Sequence, residues 1–375
     1  MEYQQCVRCI MDNSSDATIF FDANGYCNYC TQSIKNKKKR YFPNEIGQKK
    51  LQSLINKLKS RNSEYDCIMG ISGGLDSSYL AYLGSVKWGL RILAVHVDDG
   101  FDTEITQRNI SRISNFPNFD LRIIKPDSSQ FTELIKAFMR AGVPNIFIPQ
   151  DNVLFANVYN FLKKNHLKTF LSGSNFALEC ILQKGNTHDP YDLKNIKYIH
   201  KKFGKGNIDK LTLLSGLKKD INRFLLNVET TEPLNFIDYN RDRAITELTN
   251  YCNFEYYGGK HLENELTKFI QQYWLYKKFN VDKRKSHLSS MIVSGQITRE
   301  EAVRQCSLPI YDEKDMEDTI STIIKKLNMN KNEFDMIMQS QTHQHWDYPI
   351  SNYRKLKSIL KAIYGYPLTN RKNRN

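Results

Sequence analysis

No stretch of the sequence stays apolar over the roughly 18 residues that a membrane-crossing helix needs. The longest candidates, such as Ile92-Leu93-Ala94-Val95, are of strand length. Residues 1–5 lack the apolar segment that a secretory leader carries. A cytoplasmic protein with no membrane span is therefore expected. Internal repeats and low-complexity tracts are also missing. Acidic residues are scarce where basic ones crowd. Residues 35–61 hold ten Lys and Arg against Glu45 alone, and residues 354–375 hold seven with no acid. These two stretches account for the whole net charge of +14. They read as solvated basic faces, and nucleic acid is not expected as a partner, although RNA or an anionic membrane surface is the sharper alternative.

A disulfide framework is missing too. Eight cysteines stand at 6, 9, 27, 30, 67, 180, 252 and 306, four of them in two C-x-x-C pairs and the rest scattered singly. In a chain of 375 residues without a leader, that usage does not describe a disulfide scaffold.

What is present is enough to build a core: 40% of the residues are hydrophobic and 12% aromatic, which excludes wholesale disorder. The organisation reads as a cysteine module over 1–34, a basic helical linker over 35–62, an α/β domain over 63–240 and a mainly helical domain over 241–375. Within the third, residues 67–71, 91–97, 121–124 and 169–172 predict strands. Residues 77–88, 103–115, 129–140 and 153–164 predict helices. Strands alternating with helices of this length predict a doubly wound parallel sheet. Residues 180–230 read as polar and helical, and residues 233–237 as one more strand. Thr298-x-x-Glu301 and Asn330-x-x-Glu333 are N-terminal caps of two further helices.

Two motifs carry chemistry. Cys6-x-x-Cys9 and Cys27-x-x-Cys30 can place four thiolates tetrahedrally around Zn²⁺, and Gly25 supplies the tight turn before the second pair. With four protein ligands the shell is closed, so such a zinc is structural. An iron–sulfur cluster or four unliganded thiols are the alternatives. The second motif, Ser72-Gly73-Gly74-Leu75-Asp76-Ser77-Ser78, follows a strand and opens a helix. Its glycines permit close backbone approach to an oxyanion, and its hydroxyls and the helix N-terminus supply donors. Neither a Walker loop nor a Gly-x-Gly-x-x-Gly turn occurs in the chain.

The Ser-Gly-Gly-x-Asp-Ser turn resembles the PP-loop of the ATP pyrophosphatases, which share a HUP-like α/β fold and cleave ATP to AMP and pyrophosphate. The resemblance implies that Ser72, Gly73, Gly74, Asp76, Ser77 and Ser78 bind ATP, with Asp76 helping to hold Mg²⁺. It further implies nucleotide contacts from Val97 and Asp98 after the second strand and from Gly173 and Ser174 after the fourth. A closer resemblance covers most of the chain. The cysteine pairs, VHVDDGF (residues 95–101), IPQD (148–151), LSGSNFALE (171–179), YYGGKH (256–261) and DKRKSHLSSMIVSG (282–295) are similar to the N-acetyl sugar amidotransferases of the WbpG/PseA type. The chain departs from their common pattern at Leu75, where lysine is usual.

That family implies an enzyme of lipopolysaccharide O-antigen, surface-polysaccharide or nonulosonic acid biosynthesis. It converts an N-acetyl group of a nucleotide-linked diacetamido sugar to an acetamidino group. Implied catalytic residues are Asp76, Asp151, Glu179, Lys260 and His261, with Asn175, Arg284 and His287 binding the sugar substrate. Arg284 suits a diphosphate by its fork geometry, and Glu179 or Asp151 would take a proton from attacking ammonia. ATP, Mg²⁺ and structural Zn²⁺ are the implied cofactors. Position 2 is Glu2, not a glutaminase cysteine, and no cysteine sits in a Gly-x-Cys-x-Gly elbow. Ammonia is therefore expected from outside the chain, which the resemblance assigns to a HisH-like glutaminase subunit. The rival readings are a PP-loop tRNA thiolase and a non-catalytic zinc-ribbon scaffold.

Overall fold

The computed structural model describes residues 2–359 apart from 15, 62, 261, 354 and 358. Two helices, α1 (Asn28–Arg40) and α2 (Glu45–Lys59), precede the sheet. The alternating part runs β1 (Cys67–Gly70), α3 (Leu75–Ala81), β2 (Ile92–Val97), α4 (Glu104–Ile113), β3 (Phe119–Ile124), α5 (Ser128–Arg140) and α6 (Ile148–Lys164). It continues through β4 (Thr169–Leu171), α7 (Phe176–Glu179), α8 (Leu193–Phe203), α9 (Gly216–Leu225) and β5 (Glu229–Thr231). Helices then take over: α10 (Arg241–Cys252), α11 (Glu265–Phe269), α12 (Leu275–Phe279), α13 (Lys283–Ser294), α14 (Arg299–Ser307), α15 (Glu313–Lys326) and α16 (Lys331–Gln339). No helix among the described residues is long and apolar enough to cross a membrane.

The five strands form one wholly parallel sheet in the order β3-β2-β1-β4-β5. Strand β1 is central because both its faces are apolar. Cys67 and Met69 enter one core and Ile68 the other, all three fully buried. The chain leaves β1 toward β2 and β3 on one side and returns to β4 and β5 on the other. A crevice therefore opens at the carboxyl ends of β1 and β4, where parallel sheets bind ligands.

Three local expectations are corrected. Residues 233–237 are not a strand: Pro233–Phe236 forms a 3₁₀ turn, and the fifth strand lies earlier, at Glu229–Thr231. Pro233 has no N–H to give a ladder, while a short edge strand such as Glu-Thr-Thr needs no apolar run. Residues 180–230 hold that strand and only two helices. The sixth helix starts at Ile148, with Pro149 in its first turn, which brings Asp151 onto a helix. Thr298 and Asn330 do cap α14 and α16, accepting the amides of Glu301 and Glu333.

The cysteine module is stitched to the rest. The Ile10 amide donates to Ser289 Oγ of α13 at 3.2 Å, and Arg299 donates to the carbonyls of Cys9 and Cys6, each at 3.2 Å. Ser33 Oγ donates to the carbonyl of Cys180 at 2.7 Å, directly after the end of α7.

Candidate active site

The Ser72–Gly74 turn is shaped by its glycines. Gly73 has φ +73°, and a Cβ there would stand 2.7 Å from Thr106 Cγ2 of α4. The turn is closed by its own hydroxyls. Ser77 Oγ accepts the Ser72 amide at 3.2 Å, and Ser72 Oγ accepts the Gly74 amide at 3.1 Å. The next amide, of Leu75, donates to the Tyr257 hydroxyl at 2.7 Å. Gly173, after β4, lets the second turn lie against the first, since a Cβ would meet the Ser77 nitrogen at 3.2 Å.

Charge gathers where the turns meet. The Lys260 ammonium stands 3.2 Å from Asp76 Oδ2 and 2.8 Å from Glu179 Oε1. Burial works against its charge, but the two carboxylates prevail and hold it above the usual lysine range. The Tyr239 hydroxyl donates to the other Asp76 oxygen, and burial together with that carboxylate keeps it protonated. Two helix residues, Asp76 of α3 and Glu179 of α7, are thus joined through one loop residue, Lys260.

A second charged group lies at the end of β2. His96 Nδ1 is 2.9 Å from the Ile71 carbonyl and Nε2 is 2.8 Å from Asp102 Oδ2. The carbonyl and an ionised Asp102 both accept, so the pocket is built to hold a ring protonated on both nitrogens. Burial opposes that charge, and Asp102 and the carbonyl raise the pKa regardless. Beside it, burial and Asp102 push Asp99 up to about 6, and Asn264 Nδ2 donates to Asp99 at 3.2 Å.

These groups surround one cleft of about 1120 Å³. Ser72, Gly74, Asp76, Ser77, Val97, Gly173 and Ser174 line its sheet end, and Asp151, Glu179, Lys260, Arg284 and His287 line the rest. Four expected nucleotide or substrate residues have other work. Gly73 faces α4, and Ser78 is fully buried inside α3. Asp98 pairs with Lys125 at 3.0 Å, and Asn175 caps α7 by accepting the Leu178 amide at 2.9 Å. Arg284 borders the cleft, but its guanidinium is engaged by Asp282 at 2.8 Å and by the carbonyls of Leu308 and Pro309 at 2.9 and 3.1 Å. It ties α13 to the end of α14 instead of presenting an open fork. His287 Nδ1 lies 3.1 Å from the Leu178 carbonyl. His261 lies outside the described residues.

Residue-by-residue reading missed Tyr239, Tyr257, His96, Asp102 and Lys283, all in or against this cleft. One signal was available: a histidine inside an otherwise apolar strand, Ile92-Leu93-Ala94-Val95-His96-Val97.

The cysteine centre stands apart. The sulfurs of Cys6, Cys9, Cys27 and Cys30 all lie within 4.8 Å of one another and all four residues are buried. The amides of Cys9 and Cys27 donate to Cys6 Sγ at 3.4 and 3.2 Å, and the Cys30 amide to Cys27 Sγ at 3.4 Å. Amides aimed at sulfur stabilise thiolates. Four thiolates this close repel one another unless a cation sits among them, so the donor set fits a tetrahedral metal ion. Cysteine ligands of this kind also hold iron–sulfur clusters.

For ATP and Mg²⁺ the fit is carried by two features. Ser72, Gly74 and Ser77 of the turn line the crevice, and Asp76 and Glu179 already accommodate a cation between them, the ammonium of Lys260.

Residues 263–361 match the family model "LPS biosynthesis protein WbpG-like, C-terminal domain". A curated relative, an uncharacterized protein of Methanocaldococcus jannaschii, is 26% identical over 139 residues, covering 37% of this chain and 47% of the relative. The chain thus spans about half the length of that relative. Among solved structures, the NMN synthetase of Francisella tularensis is 15% identical over 56% of this chain and 94% of its own, with a TM-score of 0.29. The U34-tRNA thiolase NcsA of Methanococcus maripaludis, solved with its iron–sulfur cluster, is 14% identical over 79% of this chain and 88% of its own, with a TM-score of 0.33.

Proposed function

We propose, from the premise that residues 263–361 form a WbpG-like C-terminal domain, that this chain is an ATP-dependent amidotransferase releasing AMP and pyrophosphate. Its substrate is a nucleotide-linked diacetamido sugar of lipopolysaccharide O-antigen, surface-polysaccharide or nonulosonic acid biosynthesis, and its product bears an acetamidino group. One observation carries the reading. The glycine-serine turn at the switch point and the row Asp76–Lys260–Glu179 share a cleft larger than one small ligand requires. Part of its wall, including Asn264, Lys283 and His287, comes from the WbpG-like segment.

The chemistry sets the roles. An amide carbon is a poor electrophile because its oxygen leaves badly. Transfer of AMP to that oxygen gives an O-adenylyl imidate, from which ammonia displaces AMP and leaves the amidine. Ser72, Gly74, Ser77, Gly173 and Ser174 hold the departing pyrophosphate, and His96 lines the same cleft, its ring bonded to the carbonyl of Ile71 just before the turn. Asp76 would hold Mg²⁺, which would supply charge stabilisation for the leaving group. Lys260 orients Asp76 and Glu179, and Glu179 or Asp151 receives the proton that ammonia sheds. Ammonia arrives from a HisH-like glutaminase subunit.

The thiolase reading lacks a sulfur carrier at the site. No cysteine is among the cleft-lining residues, and burial pushes the Cys180 thiol up to about 11. The deciding assay mixes the full chain with ATP, Mg²⁺, ammonium and UDP-linked diacetamido sugars. AMP is expected to appear only with sugar present, and the sugar to lose the mass difference between O and NH. Release of ADP, or AMP release that requires tRNA, would overturn the proposal.

A further inference from the structure

Arg284 is spent on Asp282 and four carbonyls, so the anionic part of a nucleotide sugar needs another cation. Lys283, the first residue of α13, lines the same cleft. Among the described residues its ammonium makes no hydrogen bond and no ion pair. Burial pushes its pKa down, and the opposite charges that counter this, Asp16 and Glu179, act on it only through space. Both carboxylates are otherwise engaged: Glu179 by Lys260, and Asp16 by the Tyr29 hydroxyl at 2.7 Å.

The charges order themselves along the cleft as Asp76, Lys260, Glu179 and Lys283. The first three are joined by ion pairs, and Lys283, which feels Glu179 only through space, is a cation of the same cleft without a partner among the described residues. An ammonium enclosed by protein and left unpaired is costly. It is relieved when a ligand brings the missing anion. The first member of the set serves the ATP end; Lys283 belongs to the α13 wall of the cleft, which residues 308–310 also line.

We infer that Lys283 is the residue that receives the diphosphate of the nucleotide sugar, which rests on the functional reading above and names the specificity determinant within it. The probe is UDP, titrated calorimetrically into the full chain with α,β-methylene-ATP already filling the phosphate turn. Lys283→Met is expected to weaken UDP binding by about tenfold or more, the loss typical of one charge-assisted contact. Affinity for α,β-methylene-ATP and for the free diacetamido sugar should be unchanged, and Lys283→Arg should recover much of the UDP affinity. Circular dichroism and metal content of both variants check that they fold. Unchanged UDP affinity in Lys283→Met, or an equal loss of α,β-methylene-ATP affinity, would overturn the inference. Neither outcome bears on the functional reading, which fails separately if the native protein releases no AMP with any UDP-sugar.

Discussion

Lys260 reaches Asp76 across 184 residues of sequence, its ammonium 3.2 Å from the Asp76 carboxylate. The contact joins the loop after Gly258-Gly259 to the first turn of α3, so the glycine-serine turn and the loop across the cleft are tied together.

Lys260→Met leaves Asp76 and Glu179 facing each other without their shared cation. AMP release should fall by about 10²–10³-fold, the usual effect of removing one electrostatic contributor at a reaction centre. Stability should drop as well, by about 3–5 kcal/mol if both carboxylates stay charged. Steady-state AMP formation and urea unfolding measure the two effects independently. Retained turnover would remove Lys260 from the site.

The His96–Asp102 pair has a calculable sign. The folded-state pKa of His96 lies above its ordinary value of 6.5. Its contribution is therefore fully present below that value and is lost as pH rises through the folded pKa. His96→Asn should cost more stability near about pH 6 than near about pH 9. Urea midpoints of both proteins at the two pH values test this, and a cost independent of pH would contradict a charged ring.

Metal removal should unfold the cysteine module and loosen the segment after Glu179, because Ser33 holds the Cys180 carbonyl. Apparent metal-binding energies of small zinc modules, about 10–16 kcal/mol, predict a large fall in melting temperature on chelation. Elemental analysis should find zinc in a colourless protein. A brown protein containing iron would put an iron–sulfur cluster in its place.

Gly73 and Gly100 separate strain from collision. Both have positive φ, +73° and +85°, but only at Gly73 would a Cβ strike a neighbour, Thr106 Cγ2 at 2.7 Å. Gly100→Ala should cost about 1 kcal/mol from backbone strain alone. Gly73→Ala should cost more and also lose ATP affinity, because the turn must shift. Thermal melts with and without ATP distinguish the two.

The amino-acid order by itself determined the parallel sheet, the glycine-serine turn, the helix caps and the four-cysteine cluster. Each is written in contiguous residues, where periodicity, cap chemistry or ligand spacing acts over one or two turns of chain. The short strand Glu229–Thr231 escaped because a polar edge strand buries too little to leave a pattern. Only the tertiary structure decided that Arg284 is spent within the fold while its neighbour Lys283 is left open to the cleft. It alone brought Tyr239 and Lys260 to Asp76, and Glu179 to Lys260. The physical reason is that charge pairing is short-ranged and indifferent to sequence distance: which cation meets which carboxylate follows from the packing of α7, α13 and the sheet edge, not from any local run of residues.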